Sequence, residues 1–223
     1  MTFNLTKERN KEIQRKRKMM YFIEATQEII EKEGIDKVTI RKVADLAGYN
    51  SSTIYNYFNS LDHLVTFASI QYLQEYNNEF IRGIKNCNDE YGKFIIEWKI
   101  FLKNAFDHPK AFEYVFFGGD ENIEDMMREY YEIFPIEADD EIDMEEMYDL
   151  LKADNFKMRN IICLKKLSTQ GYIKEKDIDI INEILICMSH EYIILAFKEG
   201  EDFNREEHID KFISCIKYLI REK

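Results

Sequence analysis

Glycine and proline are scarce, at 8 and 2 among 223 residues. So few turn formers exclude a turn-rich β fold and leave room for long, uninterrupted helices. Cysteine is sparse as well. Cys87, Cys163, Cys187 and Cys215 stand apart with no C-x-x-C pair, which argues against a zinc site or a disulfide framework and suits a reducing cytoplasm. Each reads as a small buried hydrophobe. The N-terminus is polar and charged, and no apolar run approaches the roughly 18 residues of a membrane span. The expectation is a soluble, cytoplasmic protein with no membrane partner. Catalytic signatures are missing too: there is no glycine-rich phosphate loop, no G-x-S-x-G and no H-E-x-x-H. His63, His108, His190 and His208 are widely separated, without ligand spacing. Enzymatic activity, a cofactor and a metal are therefore not expected.

What is present is apolar residue at 45%, enough for a sizeable core, and a net charge of −12. That charge is unevenly spread. Residues 1–65 carry 11 Lys/Arg against 9 Asp/Glu, and the first 20 alone hold 7 against 2. Residues 120–149 carry 14 acids and only Arg128. Screening over about 8–10 Å at physiological salt lets a basic head bind phosphates despite a distal acidic stretch.

The stretch VTIRKVADLAGYNSSTIYNYFNSLDHLV, residues 38–65, organises the chain. Thr39 is a natural N-cap, and Ile40, Val43, Ala44 and Ala47 follow at helical spacing. Gly48 ends that helix in the left-handed region. Asn50 or Ser51 caps the next, whose Ile54 and Phe58 share a buried face. Its other face holds Ser51, Ser52, Thr53, Tyr55, Asn56 and Tyr57, whose hydroxyls, amide and phenols can reach base edges and phosphates. Asn59-Ser60 recaps the chain before Leu61. Two short helices about a tight glycine turn make a helix-turn-helix, motif 39–58, with the second helix as reader.

Thr39-Ile40-Arg41-Lys42-Val43-Ala44, Ala47-Gly48 and Thr53-Ile54-Tyr55-Asn56-Tyr57-Phe58 with Ser60, preceded by a long amphipathic helix, resemble the DNA-binding domain of the TetR/AcrR family of bacterial transcriptional regulators. The resemblance covers roughly residues 11–75. Two positions depart from the family: Leu61 stands where many members carry a phosphate-binding Lys, and Ser52 where many carry Gly or another small residue. The resemblance implies an all-α protein, with a helix-turn-helix domain at 1–65 and a larger helical effector-binding and dimerisation domain at 66–223. It also implies a homodimeric repressor, released from a palindromic DNA operator by a small molecule.

Site residues follow from this frame. Ser51, Ser52, Thr53 and Tyr55 are the direct readers. Asn56 suits a base or a phosphate, Tyr57 a phosphate, Asn50 the entry of the reading helix, and Thr39 and Lys42 the backbone at a helix N-terminus. Tyr55 has a competing role, packing between the reading helix and the first helix. The basic stretch 7–18, KERNKEIQRKRK, suits an arm along the phosphates. Residues 61–85 read as one helix of about 25 residues and 37 Å, a rigid lever from head to body.

In the body, helices are expected over 90–107, from Pro109 to Gly118-Gly119, and from about Glu145 to Gln170. Phe94, Trp98, Phe101, Phe112, Phe116, Met126 and Tyr130 are candidate pocket residues, with Asp120, Glu121 or His190 as polar anchors. Aromatics near carboxylates suit a hydrophobic cation. The last two helices carry broad apolar faces. Ile181, Leu185, Met188, Tyr192, Leu195, Ile209, Phe212, Ile213, Ile216 and Ile220 are expected in a four-helix dimer interface, a buried pair within one protomer being the alternative. A rival reading makes the chain a DNA-binding adaptor, controlled by a protein partner at the acidic 120–149 segment.

Overall fold

Period-3.6 patterning with few breakers produces helix throughout. The computed structural model describes residues 2–85, 87, 89–118, 123–134 and 156–220, with backbone alone for 2–8, 81, 84 and 124. The α-helices are α1 Thr2–Glu33, α2 Ile40–Ala47, α3 Ser51–Ile54, α4 Leu61–Ser69, α5 Tyr72–Lys85, α6 Glu90–Asp107, α7 Pro109–Phe117, α8 Ile123–Ile133, α9 Phe156–Thr169, α10 Ile178–Glu199 and α11 Arg205–Leu219. No strand occurs among the described residues. The chain divides into two compact units, Met1–Gln71 with Asp120–Ile136, and Tyr72–Gly119 with Glu137–Lys223. The division read at 65/66 falls inside α4, and residues 120–136 join the head.

In the first unit, α1 buries Met19, Phe22, Ile23, Thr26 and Ile29 and stops at Gly34, whose φ of 94° requires glycine. Rings continue this core from Phe22 to Phe58 (6.4 Å), Phe67 (5.7 Å) and Tyr130 (6.4 Å). Tyr130 belongs to α8, which buries Met126, Met127, Tyr130 and Tyr131 and packs on α1 and α4.

Residues 61–85 are not one helix. α4 ends at Ser69 and α5 starts at Tyr72. At the break Ile70 N–H donates to the Phe67 carbonyl (3.3 Å), one residue short of the α-helical partner. Ser69 Oγ donates to the Val65 carbonyl (2.7 Å), a back-bond that bends helices. The continuous lever expected from the apolar pattern is thus interrupted between Ser69 and Tyr72.

The second unit is built around α6, which contacts α5, α7, α9, α10 and α11 and buries Phe94, Trp98, Phe101, Leu102, Ala105 and Phe106. Its bounds and those of α7 match the sequence reading. α9 is described only from Phe156, so the expected start near Glu145 lies outside the described residues. Contrary to expectation, α10 is long and apolar enough to pass for a membrane span, with a mean hydropathy of 1.5 over its best window. It nevertheless packs one face against α6, α7, α9 and α11, and that face includes the buried polar Asn182 and Ser189. Length and composition are met equally by a core helix of this kind.

The same packing divides the residues expected at a dimer interface into buried and half-buried sets. Ile181, Leu185, Phe212, Ile213, Ile216 and Ile220 are buried within this unit, with Phe212 4.7 Å from Trp98. Met188, Tyr192, Leu195 and Ile209 are half-buried. The outward face of α10 shows Ile180 and Ile184, at 54% and 36% exposure, with Cys187 beside Ile180 in projection, on the side away from Ile184. A helix with two apolar stripes does not declare in its sequence which one turns inward.

Candidate functional site

The nucleic-acid interface is set by capping. Thr39 Oγ1 accepts from Lys42 N–H (3.3 Å) and starts α2. Gly48, at φ 76° and ψ 30°, closes it. Asn50 is extended and occupies the N-cap of α3, with no side-chain cap bond, so α3 begins at Ser51. Ile54 and Phe58 are fully buried beneath it. Ser60 Oγ accepts from His63 N–H (3.0 Å) and opens α4.

The reading helix is shorter than expected. Regular α structure covers Ser51–Ile54, and Asn56 N–H then donates to the Thr53 carbonyl (3.2 Å) in a tighter turn through Tyr57. This burial leaves Ser52, Tyr55 and Asn56 exposed and Ser51 and Thr53 half-exposed. Tyr55 is 58% exposed, which removes its competing packing role. The rings against α1 are Tyr49 and Tyr57, 5.2 and 5.9 Å from Phe22. Tyr57 also lines an open groove of about 580 Å³ with Lys11, Arg15, Lys18 and Asn56. The basic stretch of α1 and the reading turn therefore share one concave, mainly cationic surface. A second hollow, about 360 Å³, lies at the motif's turn beside Asp45, Tyr49, Asn50 and Thr53. Thr39 and Lys42 are exposed on the same unit, and Lys42 Nζ pairs with Glu33 (2.6 Å).

In the second unit, Phe101 gathers the expected pocket aromatics. It lies 5.6 Å from Trp98, 5.6 Å from Phe112 and 5.3 Å from Phe116, with Phe94 reached through Trp98 (6.4 Å). Phe156, which sequence reading missed, stacks on Phe101 at 4.2 Å. Beside these rings is a buried polar cluster that was also missed. Arg159 pairs with Glu97 (Nε to Oε1, 3.3 Å), an ion pair without hydrogen-bond alignment. Its other end donates to Tyr76 Oη. Cys163 Sγ donates to Glu97 Oε2 (3.4 Å), and Trp98 Nε1 is buried without an acceptor.

Burial pushes the Glu97 carboxyl above its ordinary range, with Arg159 pulling it down. Burial likewise raises the Cys163 thiol and the Tyr76 phenol, so neither is an activated nucleophile. One signal could have revealed the cluster. Glu97 sits in the run FIIEWKIF, on the face of Phe94 and Phe101, where a carboxylate needs a buried partner.

Other expected pocket residues lie elsewhere. Met126 and Tyr130 are in the first unit, Tyr130 accepting from Gln27 Nε2 (3.2 Å). His190 stacks on Phe117 (4.2 Å) and meets Glu113 (3.3 Å). Asp120 and Glu121 lie outside the described residues.

Residues 22–66 match the family described as bacterial regulatory proteins, tetR family. No curated protein matches the chain. Among solved structures, the fatty acid degradation regulator FadR of Bacillus halodurans superposes with a TM-score of 0.56 at 13% identity, covering 92% of this chain and 97% of that one. FadR of Thermus thermophilus, a TetR-family repressor solved with lauroyl-CoA, gives 0.55 at 14% identity, with coverages of 92% and 97%. A TetR-family transcription regulator from Marinobacter aquaeolei gives 0.51 at 13% identity, with 92% and 96%. Such identities establish a shared fold.

Proposed function

We propose that this chain, which carries the N-terminal domain of tetR-family bacterial regulatory proteins on the fold of those regulators, is a homodimeric repressor. It holds a palindromic operator and releases it when a small hydrophobic molecule binds the second unit. The observation that supports this best is the face made by Ser52, Thr53, Tyr55 and Asn56, kept outward by the burial of Ile54 and Phe58. Ser51, Ser52, Thr53 and Tyr55 read bases, Asn56 and Tyr57 the groove edge, and Thr39, Asn50, Lys42 and the α1 cations hold the phosphates.

The effector reading shifts with the buried cluster. The aromatics already enclose a cation of the chain's own, since Arg159 lies 5.5 Å from the Tyr76 and Phe156 ring centres. A hydrophobic molecule with an acidic group, able to take Glu97's place on Arg159 or to accept from Trp98 Nε1, fits that arrangement better than a hydrophobic cation. Lauroyl-CoA, bound by the Thermus thermophilus repressor, pairs an apolar chain with an anionic head in the same way.

Fluorescence anisotropy on the gene's own upstream DNA and on scrambled DNA, across a salt series, tests the first half. Tight binding to the upstream DNA alone, by two protomers, is expected. Equal weak binding to both would overturn it. Trp98 is the sole tryptophan. Its quenching by acyl acids but not by cationic dyes, together with DNA release, is the expected effector result; the reverse pattern would restore the cationic class.

A further inference from the structure

α8 is the part of the acidic region that the structure describes, and it docks on the head. Its apolar face, Met126, Met127, Tyr130 and Tyr131, is buried, and Tyr130 is held by Gln27 and by the Phe67 ring. This anchoring turns Glu129 and Glu132, one helical turn apart, toward two consecutive cations of α1. Arg15 donates to Glu129, and Lys16 Nζ meets Glu132 at 2.5 Å. Arg15 is one of the three cations lining the groove beside Asn56 and Tyr57. The carboxylates therefore hold cations of the stretch that faces a duplex, in the manner of two phosphates.

We infer that α8 is a built-in competitor for DNA phosphates: docked, its Glu129 and Glu132 occupy Arg15 and Lys16, and the head grips a duplex fully only when those pairs open. This rests on the DNA-binding reading of the head. Among the described side chains of α8 these two acids make the pairs with α1, and Arg15 also meets Glu12 of its own helix at 3.7 Å. Asp125, on the same helix, pairs instead with its neighbour Arg128 (3.0 Å). The chain enters the head's unit a second time at Asp120 and leaves it at Ile136, so α8 is continuous with the second unit at both ends.

The test uses a labelled random-sequence duplex, which reports phosphate binding independently of operator recognition. Wild type, Glu129→Gln, Glu132→Gln, the double variant and Asp125→Asn are compared across a salt series, with circular dichroism to confirm equal folding. The double variant is expected to bind about tenfold more tightly, two opened surface pairs being the source. Its log–log salt dependence should steepen by about one to two, near 0.9 per phosphate gained. Asp125→Asn should match wild type. An equal gain from Asp125→Asn would mean general charge repulsion and overturn the proposal. So would no gain from the double variant, or no binding by any form. Should the double variant fold poorly, the exposed Glu132→Gln change alone carries the comparison. Failure of operator discrimination with this result intact would overturn the repressor reading and leave the competitor standing.

Discussion

Thr53 sits where a side chain can discriminate between bases without holding the fold together. It is half-exposed on the first turn of the reading helix, above the buried Ile54. Thr53→Ala should weaken operator binding by about 1–3 kcal/mol, the scale of one good base contact, and leave random DNA almost unchanged. Equal losses on both would show that Thr53 positions rather than specifies. His108 makes a different residue-scale statement. Its ring stacks on Tyr72 at 4.3 Å, and burial holds the imidazole below its ordinary range against the pull of Asp107 and Glu75. The folded state thus prefers neutral His108, while the unfolded chain takes the proton near pH 6.5. Below that point the unfolded state binds more protons, so this contribution is present above about pH 6.5 and lost as pH falls toward the folded value. Urea midpoints should therefore drop between about pH 7.5 and 5.5 more in wild type than in His108→Gln. Parallel drops would assign the proton uptake to another group.

At the scale of elements, caps decide what packing then fixes. Gly48 closes α2 in the left-handed region with nothing within 4 Å of where a side chain would stand. Gly48→Ala should thus lower stability by about 1–2 kcal/mol through backbone strain alone, read as a lower melting temperature. No change would mean the turn can rearrange. The motif was legible because Thr39, Gly48 and Ser60 are local signals whose partners lie within a few residues. The bounds of α7 were legible for the same reason, through Pro109 and Gly118. What depends on distant contacts was not. The break at Ile70 hinges on Ser69 turning back onto Val65, in a stretch whose apolar spacing runs on unbroken. The docking of α8 hinges on which hydrophobic surface Met126 and Tyr130 meet. Arg159 and Glu97 are 62 residues apart in the chain, and neither announces the other. Patterning names a helix and its faces, while the choice of neighbour belongs to the whole fold.

For the whole molecule, the decisive question is what covers α10. Its inner face is occupied by this chain's own core, through Ile181, Leu185 and Ile193. Its outer face leaves Ile180, Ile184 and Cys187 exposed, flanked by half-buried Met188, Ile194 and Leu195. Contiguous apolar surface of this kind marks an interaction site, and a standard interface covers about 800 Å² per partner. A repressor of the proposed kind needs that partner to be a second copy, because its two reading helices must meet successive major grooves about 34–36 Å apart. Ile180→Lys with Ile184→Lys places two cations on the outer face while leaving Ile181 and Leu185 untouched. Light scattering should then give a monomer with unchanged circular dichroism, and a duplex bearing two half-sites should bind no more tightly than one bearing a single half-site. A variant that stays dimeric would place the interface on another face. Leu185→Lys provides the contrast: it buries a charge in the protomer's own core and should unfold the second unit rather than split a dimer.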